Sequence, residues 1–213
     1  IGTIPEHWEI KRIKNYNKLQ TGTTPAENIG INYEKNEHNY YWFTPGDFNR
    51  EDYNLYISER TIEDTVIKEN HIKLYPAHSI LFVAIGATIG KIGCNNEDSY
   101  ANQQITALIP NGINYRYELY YLVSKSEYMK ENALYTTLPI MNNQYLGNIK
   151  ITIPPLEEQK DIADYLDKKC SQIDKLIYDK QMQVEKMEKY KKSLIYEYIT
   201  GKKRVKGAEK LYG

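Results

Sequence analysis

The stretch "GATIGK" (Gly86–Lys91) follows a short apolar run and combines two glycines with a lysine, the ingredients of a phosphate-cradling loop. Its spacing is one residue short of G-x-x-x-x-G-K, and Ile92 stands where Ser or Thr would hold magnesium. A glycine-bracketed turn is therefore the expected reading. Glu158-Gln159-Lys160 supplies the Glu-x-Lys half of a nuclease site, but this pattern of common residues arises by chance and lacks a clearly paired Asp. Pro154 and Pro155 are flanked by Ile153 and Leu156, so an Asn/Asp-Pro-Pro-aromatic amine-methylating motif would lack both its amide acceptor and its stacking ring. His7, His38, His71 and His78 show no metal-ligand spacing, and no Ser stands in a G-x-S-x-G elbow. These residues supply no catalytic constellation.

Binding chemistry is what remains. Thr21–Asn28, Asn95–Gln104 and Pro139–Tyr145 are dense in amides, hydroxyls and occasional cations. Asn and Gln pair bidentately with adenine, and Arg or Lys with guanine, in a major groove. The same residue types also make turns, so composition alone leaves both readings open. Charge does not decide between them. From Glu157 onward 14 Lys+Arg oppose 11 Asp+Glu, and subtraction from 28 and 28 leaves 14 and 17 before it, so +3 balances −3. No basic block marks a nucleic-acid surface. Cys94 and Cys170 fit no disulfide or metal spacing, and no apolar run approaches a membrane span, so a reduced, cytoplasmic chain without a membrane partner is expected. The chain starts at Ile1 rather than Met, as a trimmed chain or a fragment would.

The elements that must carry these loops are legible as periods. Ser79–Gly86, Gln104–Pro110 and Asn148–Pro154 read as strands, the last half-buried by its alternation of Ile149, Ile151 and Ile153 with Lys150 and Thr152. Tyr115–Ala133 reads as one helix, with Leu119, Leu122, Val123 and Met129 on one pattern. After Pro154–Pro155 the period changes. Leu166, Cys170, Ile173, Ile177, Val184, Met187, Leu194 and Tyr198, with Lys180 and Lys191 between them, step by four and three as a coiled-coil seam. Residues 157–200 predict a helix of roughly 65 Å, stopped by Gly201 and followed by a basic tail. A head of this size has a radius of gyration of about 15 Å, so such a helix is expected to project and pair with another. The fold class is α+β: a globular mixed-strand domain (1–153), a long coiled-coil helix (154–201) and a tail (202–213).

Taken in order, "IPEHWEIKRI" (Ile4–Ile13), "TGTTP" (Thr21–Pro25), "WFTPGDF" (Trp42–Phe48), "ILFVAIGATIGKIG" (Ile80–Gly93), "ANQQITALIP" (Ala101–Pro110), "IPPLEEQKDIADYLD" (Ile153–Asp167) and "KKSLIYEYITGKK" (Lys191–Lys203) carry a resemblance. The chain resembles one target-recognition unit of the specificity subunit of type I restriction–modification systems. The resemblance implies a target-recognition domain that reads half of a bipartite double-stranded DNA sequence. It implies a spacer helix that packs antiparallel on another such helix and docks methyltransferase subunits. It implies no catalysis and no cofactor in this chain: S-adenosylmethionine, ATP and magnesium would belong to methyltransferase and restriction endonuclease/translocase partners. A full subunit carries two recognition domains and two spacer helices. The chain is therefore expected to be a half-size subunit forming a homodimer, or half of a longer protein. A two-fold pair would read an interrupted palindrome. Lys180, near the helix midpoint, would then face its own copy.

Guided by the family motifs, the expected DNA contacts are Thr23, Thr24, Arg50, Thr88, Lys91, Asn102, Gln103, Gln104, Asn142, Asn143 and Gln144. "ANQQI" is common to family members with different targets and can equally hold the fold. Target-specific side chains are expected in Glu27–Tyr41 and Arg50–Tyr56. The rival reading is a coiled-coil adaptor or regulator that joins specificity complexes without reading DNA.

Overall fold

The computed structural model describes residues 3–25, 30–48, 53–135 and 139–205. The strands are β1 (Glu9–Arg12), β2 (Asn17–Thr21), β3 (Ile31–Asn32), β4 (Asn39–Phe43), β5 (Asn54–Leu55), β6 (Thr61–Glu63), β7 (Ile80–Val83), β8 (Ile92–Asn95), β9 (Tyr100–Ala101), β10 (Ile105–Pro110), β11 (Leu134–Tyr135), β12 (Pro139–Ile140) and β13 (Lys150–Ile153). The helices are α1 (Asp64–Glu69), α2 (Tyr115–Ser124), α3 (Ser126–Glu131), α4 (Asn143–Asn148) and α5 (Leu156–Ile199). This is the expected α+β mixture of strands and short helices followed by one long helix. The chain divides into two units, Ile1–Ala163 and Asp164–Gly213.

The first unit is built on a five-stranded sheet in the order β2-β10-β7-β8-β5. Alternate residues of a strand point to opposite faces. In β7, Ile80 and Phe82 join a core with Leu108, Leu122 and Met129. Leu81 and Val83 join another with Phe43, Tyr75 and Ile105. Both faces are covered, which is why Ile80–Val83 is apolar at every position. A second sheet, β3-β6-β4-β9, carries a smaller core around Trp42, Ile62 and Val66.

Two local expectations are revised. Tyr115–Ala133 is two helices, because the Ser124 hydroxyl donates back to the Tyr121 carbonyl (2.7 Å) and Lys125 leaves helical geometry at φ −104°, ψ 0°. The break still leaves Met129 fully buried. In β13, Thr152 is buried along with Ile151 and Ile153, since the Tyr117 hydroxyl donates to the Thr152 carbonyl (2.9 Å) and lies 3.0 Å from its hydroxyl.

The change of character at Pro154–Pro155 is a bolted joint. β1 pairs antiparallel with β13, bringing Glu9 opposite Ile153. Gln159, in the first turn of α5, is buried; its Oε1 accepts from the Asn114 N–H and its Nε2 donates to the Pro154 carbonyl, both at 2.8 Å. Beside it, Glu158 holds His7 Nε2 at 2.7 Å and accepts from Trp8 Nε1 at 3.0 Å. These bonds from Trp8 and His7 keep its carboxyl below the ordinary range. Both Glu158 oxygens are occupied in tying down the start of the chain, which is a structural use for the Glu-x-Lys pattern.

Helix α5 has 44 residues, about 66 Å at the standard rise. It ends where predicted: Gly201 takes φ 73° and donates to the Tyr198 carbonyl, and Lys203 pairs with Glu197 at 2.7 Å.

Candidate nucleic-acid interface

The loops rich in amides meet at one end of the five-stranded sheet. β2 finishes there at Thr21, β7 at Val83, and β10 begins there at Ile105. Gly22 N–H donates to the Ile105 carbonyl (2.9 Å) and Thr23 N–H to the Ala101 carbonyl (3.1 Å). A Cβ on Gly22 would lie 2.1 Å from the Asn102 carbonyl oxygen, so only glycine permits this approach. The β7–β8 loop turns between Gly86 and Ile89 as a glycine-bracketed turn, the Ile89 N–H reaching the Gly86 carbonyl at 3.0 Å. Gly86 N–H also donates to Pro139 (3.0 Å), and Ile85 bridges Ile140, which draws the Pro139–Tyr145 stretch into the same cluster.

Within this cluster the predicted contact residues fall into two groups. Asn102, only 9 % exposed, accepts from the Gln104 N–H and donates to Gln104 Oε1, both at 3.1 Å. Gln104 in turn reaches the Ile85 carbonyl at 3.5 Å. Asn143 accepts from Thr106 (3.0 Å) and exchanges bonds with Thr21. Asn142 caps α4 by accepting the Tyr145 N–H at 2.8 Å. Lys91 donates to the carbonyls of Phe48 (2.9 Å) and Pro45 (3.3 Å), pinning the turn between them. Thr23 is fixed through its N–H. The exposed members are Gln103, whose carbonyl accepts from the Thr24 hydroxyl, together with Thr88 and Gln144. Arg50 lies outside the described residues.

Sequence reasoning missed a buried polar pair next to this framework. Glu118 on α2 is 0 % exposed and accepts from Asn17 Nδ2 at 2.5 Å. Burial pushes its carboxyl up to about 8, with the Asn17 bond pulling the other way. The single signal available was an acidic residue between Tyr117 and Leu119 on the apolar side of a predicted helix. Among the described residues no group of three or more His, Cys, Asp or Glu gathers as a metal site, and no helix is long and apolar enough to cross a membrane.

In the second unit the seam lies open. Ile173, Ile177, Val184 and Met187 are 52, 49, 57 and 70 % exposed, and Leu194 and Tyr198 are exposed as well. Leu166 and Cys170 are half-buried.

A mixed-strand head with its amide loops gathered at one sheet end is followed by a long helix with an exposed apolar seam. The chain belongs to the type I restriction modification DNA specificity domain family, whose model matches residues 5–186. It is 31 % identical over 217 residues to the MjaIX specificity subunit of a type I restriction enzyme from Methanocaldococcus jannaschii, covering all of this chain and 48 % of that protein. It is 28 % identical over 198 residues to the MjaVIII specificity subunit from the same organism, covering 92 % of this chain and 43 % of that protein. The chain thus spans about half the length of these relatives. Among solved structures, a chain from a type I R-M system matches with a TM-score of 0.75 at 21 % identity, covering 92 % of this chain and 46 % of that one. The HsdS subunit from Thermoanaerobacter tengcongensis matches with a TM-score of 0.64 at 21 % identity, covering 84 % and 41 %. These structures share the fold.

Proposed function

We propose that this chain is a sequence-specific DNA-recognition subunit of a type I restriction–modification complex, directing adenine methylation and restriction by partner subunits. The observation that supports it most is the convergence of Thr24, Thr88, Gln103 and Gln144 at one sheet end, on a framework tied by Gly22, Asn102 and Asn143. Methyltransferase and endonuclease/translocase subunits hold the S-adenosylmethionine, ATP and magnesium in this reading, and this chain catalyses nothing. The open seam of α5 pairs with a second helix, from a second copy or a second specificity half. Because the head carries no cationic surplus, partner subunits supply most of the phosphate contacts and the head supplies base readout.

The deciding experiment is methylome sequencing of cells that express the chain with its cognate methyltransferase subunit. Gln103→Ala and Thr88→Ala are expected to change or blur the methylated sequence while the complex still assembles. An unchanged methylated sequence in both variants would favour the adaptor reading. An interrupted palindrome would indicate a homodimer.

A further inference from the structure

A hollow of about 720 Å³ opens on the head between α2, α3, α4 and β13. Its walls include Tyr121, Lys125, Tyr128, Gln144, Tyr145 and Lys150. No carboxylate lines it, although the head as a whole is the acidic part of the sequence. Lys125 and Lys150 have no ion-pair partner among the described residues; Lys125 lies 5.9 Å over the Tyr121 ring. Arg12, opposite Lys150 in the β1–β13 pairing, reaches Asn148 Oδ1 (3.4 Å) on the same rim. Two cations thus line a concavity that offers them no anion among the described residues, with Arg12 next to it through Asn148.

Tyr121 is held in place. The Tyr121 hydroxyl donates to the Lys150 carbonyl at 2.8 Å, and Tyr128 and Tyr145 line the same hollow. Three tyrosine rings thus lie along its wall. Gln144 is exposed, and its amide has no partner among the described residues, leaving a free donor and acceptor. The volume falls in the range of about 300–1,000 Å³ typical of small-molecule sites.

We propose that this hollow binds a nucleoside monophosphate. Lys125, Lys150 and Arg12 take the phosphate, the tyrosine rings take the planar base, and the Gln144 amide meets the base edge. Base–aromatic stacking tolerates any base, and a side-chain amide matches a base edge bidentately. An acidic peptide would answer the cations but leave the rings without a stacking partner. The nucleotide can be free or one unit of a single strand, since both present the same chemistry. The hollow shares Gln144 with the proposed duplex-reading residues, so the inference rests on that site in this residue alone; Lys125, Lys150 and the tyrosines are not among them.

The test is calorimetric titration of the full chain with AMP, beside inorganic phosphate, a short single-stranded oligonucleotide and its duplex. Saturable AMP binding is expected, weakened at least tenfold in the Lys125→Ala/Lys150→Ala double variant and also in Tyr128→Ala. Tyr128 is 51 % exposed, so its loss leaves the core intact. A single strand that displaces AMP assigns the site to nucleic-acid strands; one that does not assigns it to free nucleotides. The proposal is overturned if neither AMP nor the single strand binds, or if the variants bind both undiminished. It is equally overturned if phosphate alone binds as tightly as AMP, or if the duplex displaces AMP as well as the single strand does. None of these outcomes bears on the methylome experiment.

Discussion

Replacing Glu118 with glutamine should stabilise the head at neutral pH and remove most of its pH sensitivity above the ordinary carboxylate range. Glu118 Oε2 and Asn17 Oδ1 are both buried acceptors without a partner, while Asn17 Nδ2 already donates to Glu118 Oε1 at 2.5 Å. A proton on the carboxyl supplies the donor that this pair lacks. Between 4.5 and about 8 the native state keeps that proton while the unfolded chain has lost it. The unfolded state then binds fewer protons, so stability falls as pH rises, by about 1.4 kcal/mol per pH unit. The penalty reaches roughly 3 kcal/mol near pH 7 and roughly 5 kcal/mol once the buried acid ionises, and it is constant beyond that. The substituted glutamine keeps the shape, donates from its amide and cannot ionise. Both tryptophans, Trp8 and Trp42, lie in the first unit, so their fluorescence in guanidinium reports the head alone. The measurement is the stability difference between variant and wild type at several pH values. It should widen steadily from about pH 5 to about pH 8. Parallel curves across that range would refute a proton held by Glu118.

Other consequences are open to the same kind of measurement. Gln159→Ala strips partners from the Asn114 N–H and the Pro154 carbonyl; a loss of roughly 2–4 kcal/mol in the tryptophan-monitored transition is expected, and an unchanged midpoint would remove the joint. Lys91→Met should cost about 1.5–3 kcal/mol by freeing the carbonyls of Pro45 and Phe48. It should leave the salt dependence of DNA binding by the assembled complex unaltered, whereas a log–log slope shallower by about one would make Lys91 a phosphate contact. Ile177→Asp places a charge in the seam and should convert a sedimenting dimer to monomer at micromolar concentration. A wild type that sediments as monomer, with the helix content of the variant, would rule out homodimer pairing through this face.

What could be read in advance was whatever depends on neighbours along the chain. Ile80–Val83, Ile105–Pro110 and the 44-residue helix announce themselves because a period of two, a continuous apolar run or a step of four and three is a local property. The two-residue strands β3, β5, β9, β11 and β12 had no such signal; pairing alone makes them strands. Of the amide-rich stretches, Asn95–Gln104 contains β9 and Pro139–Tyr145 contains β12 and the start of α4, and their convergence rests on β2, β10 and β7 being adjacent, which no local pattern states. Lys91 shows the limit most clearly. A lysine after a glycine turn reads as a ligand-facing cation, and its use appears only when Pro45 and Phe48 arrive from more than 40 residues away.

A side chain whose donors and acceptors are satisfied inside the protein has nothing left to offer a base edge. Asn143 already accepts from Thr21 and Thr106 and donates to Thr21, and Asn102 uses both ends of its amide on Gln104. Under the proposed function, the recognisable motifs at this sheet end would then serve mainly as scaffold, and sequence discrimination would rest on side chains with spare capacity. Gln144 and Thr88 have it at the loop cluster. On the second sheet, Tyr33 is 68 % exposed with the Arg60 guanidinium 5.7 Å over its ring. Under the proposed function, an arginine beside an exposed ring in this position is a candidate for bidentate reading of guanine. Tyr33 falls in the stretch Glu27–Tyr41, where family motifs are absent, and Arg60 lies beyond it in sequence but against it in space. If this is the reading surface, substitutions at Tyr33 and Arg60 should change the methylated sequence without disturbing the bonds of Gly22, Asn102, Asn143 and Lys91, as methylome sequencing of those variants would show.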